Sequence, residues 1–221
     1  MRYTIITPTI CRKTLVRLCE SIDAQNQPSW EHLVAVDVPE SELTADQTEM
    51  MASIPVRSNR SFFYCDKRHK NYGNTCRRKV SEHAQGDYIF YVDDDDYLAD
   101  DGVLKTLDSV TQLWAVFPIL RHGKVCFNLP PRIGNTGTAM FIHQREIGRW
   151  PKTDVYEADG LLVEDLRQKY PYQVLKSRPL VIMPTSSCGI ANAESWTGSK
   201  LAKLRQRWLQ YRYSARAGSA S

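Results

Sequence analysis

Apolar and polar positions follow two different periods along this chain. Tyr3 to Thr7 is a short β-branched run closed by Pro8 and Thr9, which predicts a buried first strand. From Arg12 to Gln25 the residues Leu15, Leu18, Cys19 and Ile22 recur at i, i+3, i+4 and i+7, the single stripe of a helix lying on a core. His32 to Val36 predicts a second strand, ended by Asp37 and Pro39. A weak helix over Glu42 to Ala52 follows, then a short strand over Ile54 to Val56 and a helix over Asn74 to Ala84 entered through Gly73. Tyr88-Ile-Phe-Tyr-Val92 has the strongest strand character, and the run Asp93 to Asp96 stops it abruptly. Beyond it the pattern predicts strands over Trp114 to Leu120, Lys124 to Leu129 and Thr138 to His143. A helix over Gly160 to Tyr170 and strands near Tyr172 to Leu175 and Leu180 to Met183 complete it.

Strands alternating with helices imply an α/β fold with a parallel sheet covered on its faces, and in such sheets ligands sit at the carboxyl ends of the strands. Thr7-Pro8-Thr9, Asp37 and the aspartate run all occupy such ends. The chain has 221 residues, 42% of them hydrophobic, with no internal repeat and no linker rich in Gly, Ser or Pro, so one domain is expected. Lys+Arg 29 against Asp+Glu 25 leaves a net charge of +4, too mild to imply nucleic acid as a partner. The first residues lack the apolar stretch of a secretory signal, and the longest apolar run, Leu113 to Leu120, is far below the ~20 residues a spanning helix needs. Cys11, Cys19, Cys65, Cys76, Cys126 and Cys188 are scattered with no C-x-x-C pair. Reduced buried thiols and a cytoplasmic location are therefore expected.

Adjacent carboxylates at a strand end repel one another, and a fold that gathers them normally supplies a cation. Residues two apart share a side in extended chain, so Asp93 and Asp95 are expected to face one ligand while Asp94 and Asp96 face elsewhere. Oxygen-only ligation suits Mg2+ or Mn2+ better than zinc. Asp100 or Asp101, before Gly102, is expected to cap the next helix. The counterpart is basic: Arg57, Arg60, Lys67, Arg68, Lys70, Arg77, Arg78 and Lys79 stand against a single acid, Asp66, between residues 57 and 79. A metal flanked by such cations is what a diphosphate requires.

Ile5-Ile6-Thr7-Pro8-Thr9, Asp37 ending the second strand, Gly73 to Arg77 ahead of Gly86-Asp87-Tyr88-Ile89, and Tyr91-Val92 followed by Asp93 to Asp96 resemble, in order and spacing, the inverting glycosyltransferases of family 2. The resemblance implies the GT-A fold, a Rossmann-like, mostly parallel sheet flanked by helices. It implies a metal-dependent transfer of sugar from a nucleotide-diphospho-sugar, UDP-linked in preference, to an acceptor hydroxyl. Thr7, Pro8, Thr9 and Asp37 would line the nucleoside pocket and Arg77 would approach base or phosphate. Asp93 would meet the ribose or the metal, with Asp94 beside it against the nucleotide-sugar. Asp95 would be the direct ligand of Mn2+ or Mg2+ in a D-x-D motif. Residues 1–195 would form one catalytic domain, with 1–107 the nucleotide-binding half and 108–195 the acceptor-binding half.

An inverting transfer also needs a base on the acceptor side. Glu164-Asp165 matches the family's dipeptide but falls mid-helix, while Asp159 stands where the helix begins, thirteen residues before Tyr172. Counting favours Asp159 and leaves Asp165 as the alternative. Arg78 stands where relatives often carry Asn, and the segment after Met183 lacks their His, a gap Ser186, Ser187 or water could fill. His143 is a candidate neighbour of the acceptor, and the Gly134 to Thr138 loop a candidate acceptor-side wall. The last residues, 196–221, predict a basic amphipathic helix able to contact an anionic membrane or its own domain, which would suit a glycan, lipid-linked or protein-linked acceptor. Two other readings remain at this point: a nucleotidyltransferase on a similar sheet, and a single-stranded RNA-binding module built on the basic stretch and Phe62, Phe63, Tyr64 and Tyr72.

Overall fold

The structure, a computed structural model, describes residues 2–184, which lie within one compact unit, Met1–Ser187. The segment expected to form a basic helix, 196–221, and Ser186, Ser187 and Cys188 lie outside the described residues.

Seven strands form the main sheet: β1 (Tyr3–Thr9), β2 (Trp30–Val36), β3 (Arg60–Tyr64), β4 (Tyr88–Tyr91), β6 (Trp114–Val116), β9 (Phe141–Gln144) and β10 (Gln173–Val174). Their order is β10-β6-β9-β4-β1-β2-β3, and pairing is parallel except at β9, which runs antiparallel to both neighbours. β1 and β2 are buried along their whole length. Both faces of the sheet are covered, so these strands are buried on both sides and mostly apolar, and their buried polar residues pair with one another, as Thr4 does with Glu31 and Thr7 with His32. One face takes α1 (Thr14–Asp23), α2 (Ala45–Ala52) and α4 (Val103–Leu107), packed through Leu15, Leu18, Ile22, Met50, Leu104 and Leu107. The other takes α3 (Asn74–Val80) and α5 (Ala158–Lys169), packed through Cys76, Val80, Leu162, Val163 and Leu166. The α1 stripe is the one expected from its spacing.

A second sheet has the order β5-β11-β7-β8, from β5 (Tyr97–Leu98), β11 (Val181–Met183), β7 (Ile119–Arg121) and β8 (Lys124–Cys126). The single strand expected over Trp114 to Leu120 is two strands in two sheets. The crossing falls at Phe117-Pro118, where the Phe117 amide still bonds to the Met140 carbonyl and proline has no amide to continue the ladder. β7 and β8 are joined at His122-Gly123, both with positive φ, as a tight hairpin turn requires.

Two further expectations need correction. Ile54 to Val56 is not a strand; the edge strand is β3, inside the basic stretch. Its first residue, Arg60, is buried by ionic and hydrogen bonds instead of apolar contact, reaching Asp23 at 2.8 Å, His32 Nδ1 at 3.0 Å and the Cys19 carbonyl at 3.1 Å. The helix expected to run to Ala84 stops at Val80 and passes into a 3-10 turn at Ser81–His83.

β1 is paired with β2 on one side and β4 on the other, so successive connections leave it in opposite directions. That is the topological switch point, where a crevice opens at the carboxyl ends.

Candidate active site

Three strand ends meet at this crevice. The Asp37 amide donates to the Thr9 carbonyl at 2.8 Å and the Val92 amide to the Ile6 carbonyl at 3.1 Å, which pins the tips of β2 and β4 against β1. Thr7 and Thr9 are buried. The Thr7 hydroxyl lies 3.0 Å from His32 Nε2, and the Thr9 hydroxyl donates to Asp94 Oδ2 at 2.6 Å. Asp37 is buried, and its two oxygens accept the amides of His69 at 2.8 Å and Lys70 at 3.3 Å. It therefore ties down the loop between β3 and α3.

The aspartate run is not extended. The Asp96 amide donates to the Asp93 carbonyl at 3.0 Å, closing a turn that brings residues 93 and 96 together. Ligand oxygens of Asp93, Asp95 and Asp96 lie within 4.8 Å of one another. Asp93 and Asp95 share a side as their spacing predicts, but Asp96, expected to face elsewhere, joins them because the chain turns here instead of running straight. Asp94 does face away from the trio: it is fully buried and held by Arg12 and Thr9, so it presents nothing to a nucleotide-sugar directly. Arg12 also donates to Asp95 Oδ2 at 3.0 Å, and Arg17 to the Asp95 carbonyl at 3.1 Å while stacking over Tyr97.

Burial, then the charge of Asp93, pushes the Asp95 carboxyl up to about 6. The same causes, with Asp95 and Asp94 added, raise Asp96 well above the usual carboxylate range. Both Asp96 oxygens are buried without a hydrogen-bond partner. A wholly oxygen donor set, crowded until it resists ionisation and holding two unpartnered buried oxygens, fits a hard divalent cation such as Mg2+ or Mn2+.

Arg77, on α3, joins the trio to the rest of the cleft. Its buried guanidinium bonds to Asp93, donates to the Tyr72 carbonyl at 2.7 Å and stacks over Trp150 with 4.7 Å to the ring centroid. Trp150 in turn donates to Asn74 Oδ1 at 3.0 Å, and Asn74 to the Val155 carbonyl at 2.8 Å. Asn71 reaches Asp154 at 2.9 Å. These bonds fasten the segment ahead of α5 to α3. Gly73 makes the approach possible: it has φ +75° and lies against Pro8, where a Cβ would come within 2.6 Å of the proline ring.

The same fastening places Asp159 in the first turn of α5. Its Oδ1 accepts the Gly160 amide at 2.7 Å and its Oδ2 the Thr138 hydroxyl at 3.3 Å. Burial raises its carboxyl to about 6, with the Gly160 amide and Arg77 pulling down and Asp93 pushing up. Asp159 therefore shares an electrostatic environment with the aspartate trio. Asp165 instead pairs with Lys169 at 2.7 Å on the outer surface of the helix. His143 is fully buried beside Tyr91 and Phe141, with its ring held near neutrality by burial, and is a core residue.

Residues 4–163 match the family model described as glycosyl transferase family 2. The chain belongs to glycosyl transferase family 2. No curated protein matches it closely. Among solved structures, S. aureus TarS residues 1–349 in complex with UDP-GlcNAc superimposes with a TM-score of 0.68 at 15% identity, over 89% of this chain and 62% of that one. A mannosyltransferase from Pyrobaculum calidifontis in complex with GDP-Man and Mn2+ gives 0.61 at 16% identity, over 85% of this chain and 58% of that one. The chain thus spans about three fifths of the length of these structures, and the likeness shows that it has the GT-A fold.

Within this family 2 chain, sequence reasoning missed Arg12, Trp150, Asn74 and Asp96. Arg12 and Trp150 act through partners more than sixty residues away in sequence, so no local pattern marks them. A turn signal was present for Asp96, since a run of Asp with no β-branched residue is poor strand and good turn.

Proposed function

We propose that this chain transfers a sugar from a nucleotide-diphospho-sugar to an acceptor hydroxyl with inversion at the anomeric carbon. The observation that carries the proposal is the trio Asp93, Asp95 and Asp96, with the unpartnered Asp96 carboxylate, at the switch-point crevice. These residues would hold Mn2+ or Mg2+, and such an ion, when bound, supplies positive charge where the departing diphosphate accumulates negative charge.

The remaining work falls to side chains of the chain itself. Thr7, Pro8 and Thr9 form the floor of the nucleoside pocket, and Asp37 lines it by holding the loop that walls it. Arg77 presents a fixed guanidinium to the phosphates, its orientation set by the Tyr72 carbonyl and the Trp150 ring. Asp159 accepts the acceptor proton. A carboxyl raised to about 6 is ionised at neutral pH yet more basic than an ordinary aspartate, which suits a general base. Asp165, turned to Lys169, takes no part. Closing donor and acceptor into one crevice supplies alignment, a large share of such an acceleration.

UDP-sugars are the favoured donors, which accords with the UDP-GlcNAc bound by TarS; the GDP-Man bound by the archaeal enzyme makes GDP-sugars the second choice. The acceptor is a glycan or a lipid- or protein-linked hydroxyl. Among the described residues no helix is long and apolar enough to cross a membrane, and contact with a membrane surface would fall to residues 196–221.

A thermal-shift panel of UDP-, GDP-, CMP- and dTDP-sugars with and without Mn2+ tests the reading. One nucleotide-sugar should raise the melting point in a Mn2+-dependent way, and turnover should release nucleoside diphosphate. Release of pyrophosphate would identify a nucleotidyltransferase. Metal-independent oligonucleotide binding with no response to any sugar nucleotide would sink the transferase reading.

A further inference from the structure

A second cluster of ligating side chains lies behind the nucleoside wall, apart from the aspartate trio. Asp37 ends β2, Cys65 follows β3, His69 is on the loop and Cys76 is in the first turn of α3. One ligand atom each from Asp37, Cys65 and His69 falls within 4.8 Å of the other two. Cys76 Sγ is 3.1 Å from Cys65 Sγ and stands outside that mutually close set of three. Asp37, Cys65 and Cys76 are buried, and His69 Nε2 is buried with no hydrogen-bond partner, its neighbour Asp66 standing 3.7 Å away.

The chemistry of this set differs from that of the trio. Two thiols and an imidazole are soft and borderline donors that, with one carboxylate beside them, select zinc over magnesium or manganese. Zn–S and Zn–N bonds of about 2.0–2.3 Å place tetrahedral ligand atoms roughly 3.3–3.8 Å apart. The sulfurs need separate by about 0.7 Å, with Cys76 drawing closer to the other ligand atoms, to meet that geometry. The Asp37 oxygens already accept the amides of His69 and Lys70, the kind of outer-shell bond that orients a ligating carboxylate.

We propose that Asp37, Cys65, His69 and Cys76 form a tetrahedral zinc site. Its position gives it a structural task. The loop it would clamp carries Tyr72, whose carbonyl fixes Arg77, and Gly73, which abuts Pro8. The thiol protons leave to solvent as the metal binds, and no oxidant or reductant is involved.

The test uses the full chain, stripped with a chelator under reducing, anaerobic conditions, reloaded with Zn2+ and desalted. Elemental analysis should find one zinc per chain in the wild type and in Asp95→Asn, and zinc affinity at least about tenfold weaker in His69→Ala and Cys65→Ser. Co2+ in place of Zn2+ should give a thiolate-to-cobalt charge-transfer band in the near ultraviolet, with intense visible bands of tetrahedral cobalt. Cys65 is buried and its replacement could fail to fold, but the wild-type cobalt spectrum and the loop residue His69 keep the question decidable. Three results overturn the site: a wild-type cobalt spectrum without the thiolate band, zinc retained undiminished by His69→Ala, or loss of zinc in Asp95→Asn. Recovery of Cys65 and Cys76 as a disulfide from anaerobic, zinc-incubated protein would overturn it equally.

Discussion

Replacing Asp95 with Asn should make the metal-free protein more stable while abolishing its response to Mn2+. Asp95 is raised from 3.8 to about 6 by burial and by Asp93, so the native state binds this proton more tightly than the unfolded chain does. A raised carboxyl means that stability is lost as pH climbs from the unfolded value to the folded one and stays lost above it. A shift of about 2 units corresponds to about 3 kcal/mol, and Asn, which never ionises, removes that penalty at neutral pH. For a unit of this size each kcal/mol moves the melting point by about 2–4 °C, so the upper limit of the gain is roughly 6–12 °C. Urea and thermal unfolding of both proteins in the presence of chelator, at about pH 7.5 and about pH 4.5, provide the assay. The difference should be large at the higher pH and shrink at the lower, where wild-type Asp95 is increasingly protonated. Saturating Mn2+ should stabilise the wild type, by about 2.7 kcal/mol at a hundred times its dissociation constant, and leave the variant unmoved. A variant less stable than wild type at pH 7.5, or a gap that does not change with pH, would refute the account of this turn as a crowded, cation-seeking site.

Asp159→Asn should lower kcat by about 100- to 10,000-fold while leaving nucleotide-sugar affinity intact, and wild-type turnover should rise through about pH 6 to a plateau, as expected of a base that must be ionised. Arg77→Ala removes the bond to the Tyr72 carbonyl, the pairing with Asp93 and the stack on Trp150, and should cost about 2–3 kcal/mol in unfolding experiments, less than a fully buried pair because Asp93 is partly exposed. Arg77→Lys keeps the charge without the planar fork and should recover stability better than donor affinity in titration calorimetry. Gly73→Ala places a Cβ 2.6 Å from Pro8 at a left-handed residue and should raise the KM for the donor while destabilising the fold by about 1–3 kcal/mol.

The elements that could be read from the sequence are those whose burial is carried by apolar side chains. β1, β2 and β4 lie under helices on both faces, so β-branched, aromatic and aliphatic residues predominate in them, and α1 shows its stripe because one side of it alone meets the core. β3 escaped notice because it is an edge strand whose one buried residue is an arginine satisfied by Asp23 and His32, which no hydrophobic pattern encodes. The place of Asp159 in the first turn of α5 was legible by counting, because a helix start is a local feature of the sequence. For Asp96 a turn signal was present, but which aspartates converge depends on the closed turn at residues 93–96 and not on the period of a strand. Arg12, Trp150 and Asn74 were illegible for a third reason: each matters through a partner brought close only by the completed sheet.

The small sheet gives the acidic turn a mechanical tether. β5 begins at the residue after Asp96 and is laced to β11, whose Val181 and Ile182 face Leu98 and Tyr97, with the Ala99 amide bonded to the Leu180 carbonyl. The turn that gathers Asp93, Asp95 and Asp96 should therefore share the hydrogen-exchange protection of the small sheet, and opening β5 from β11 should loosen both together.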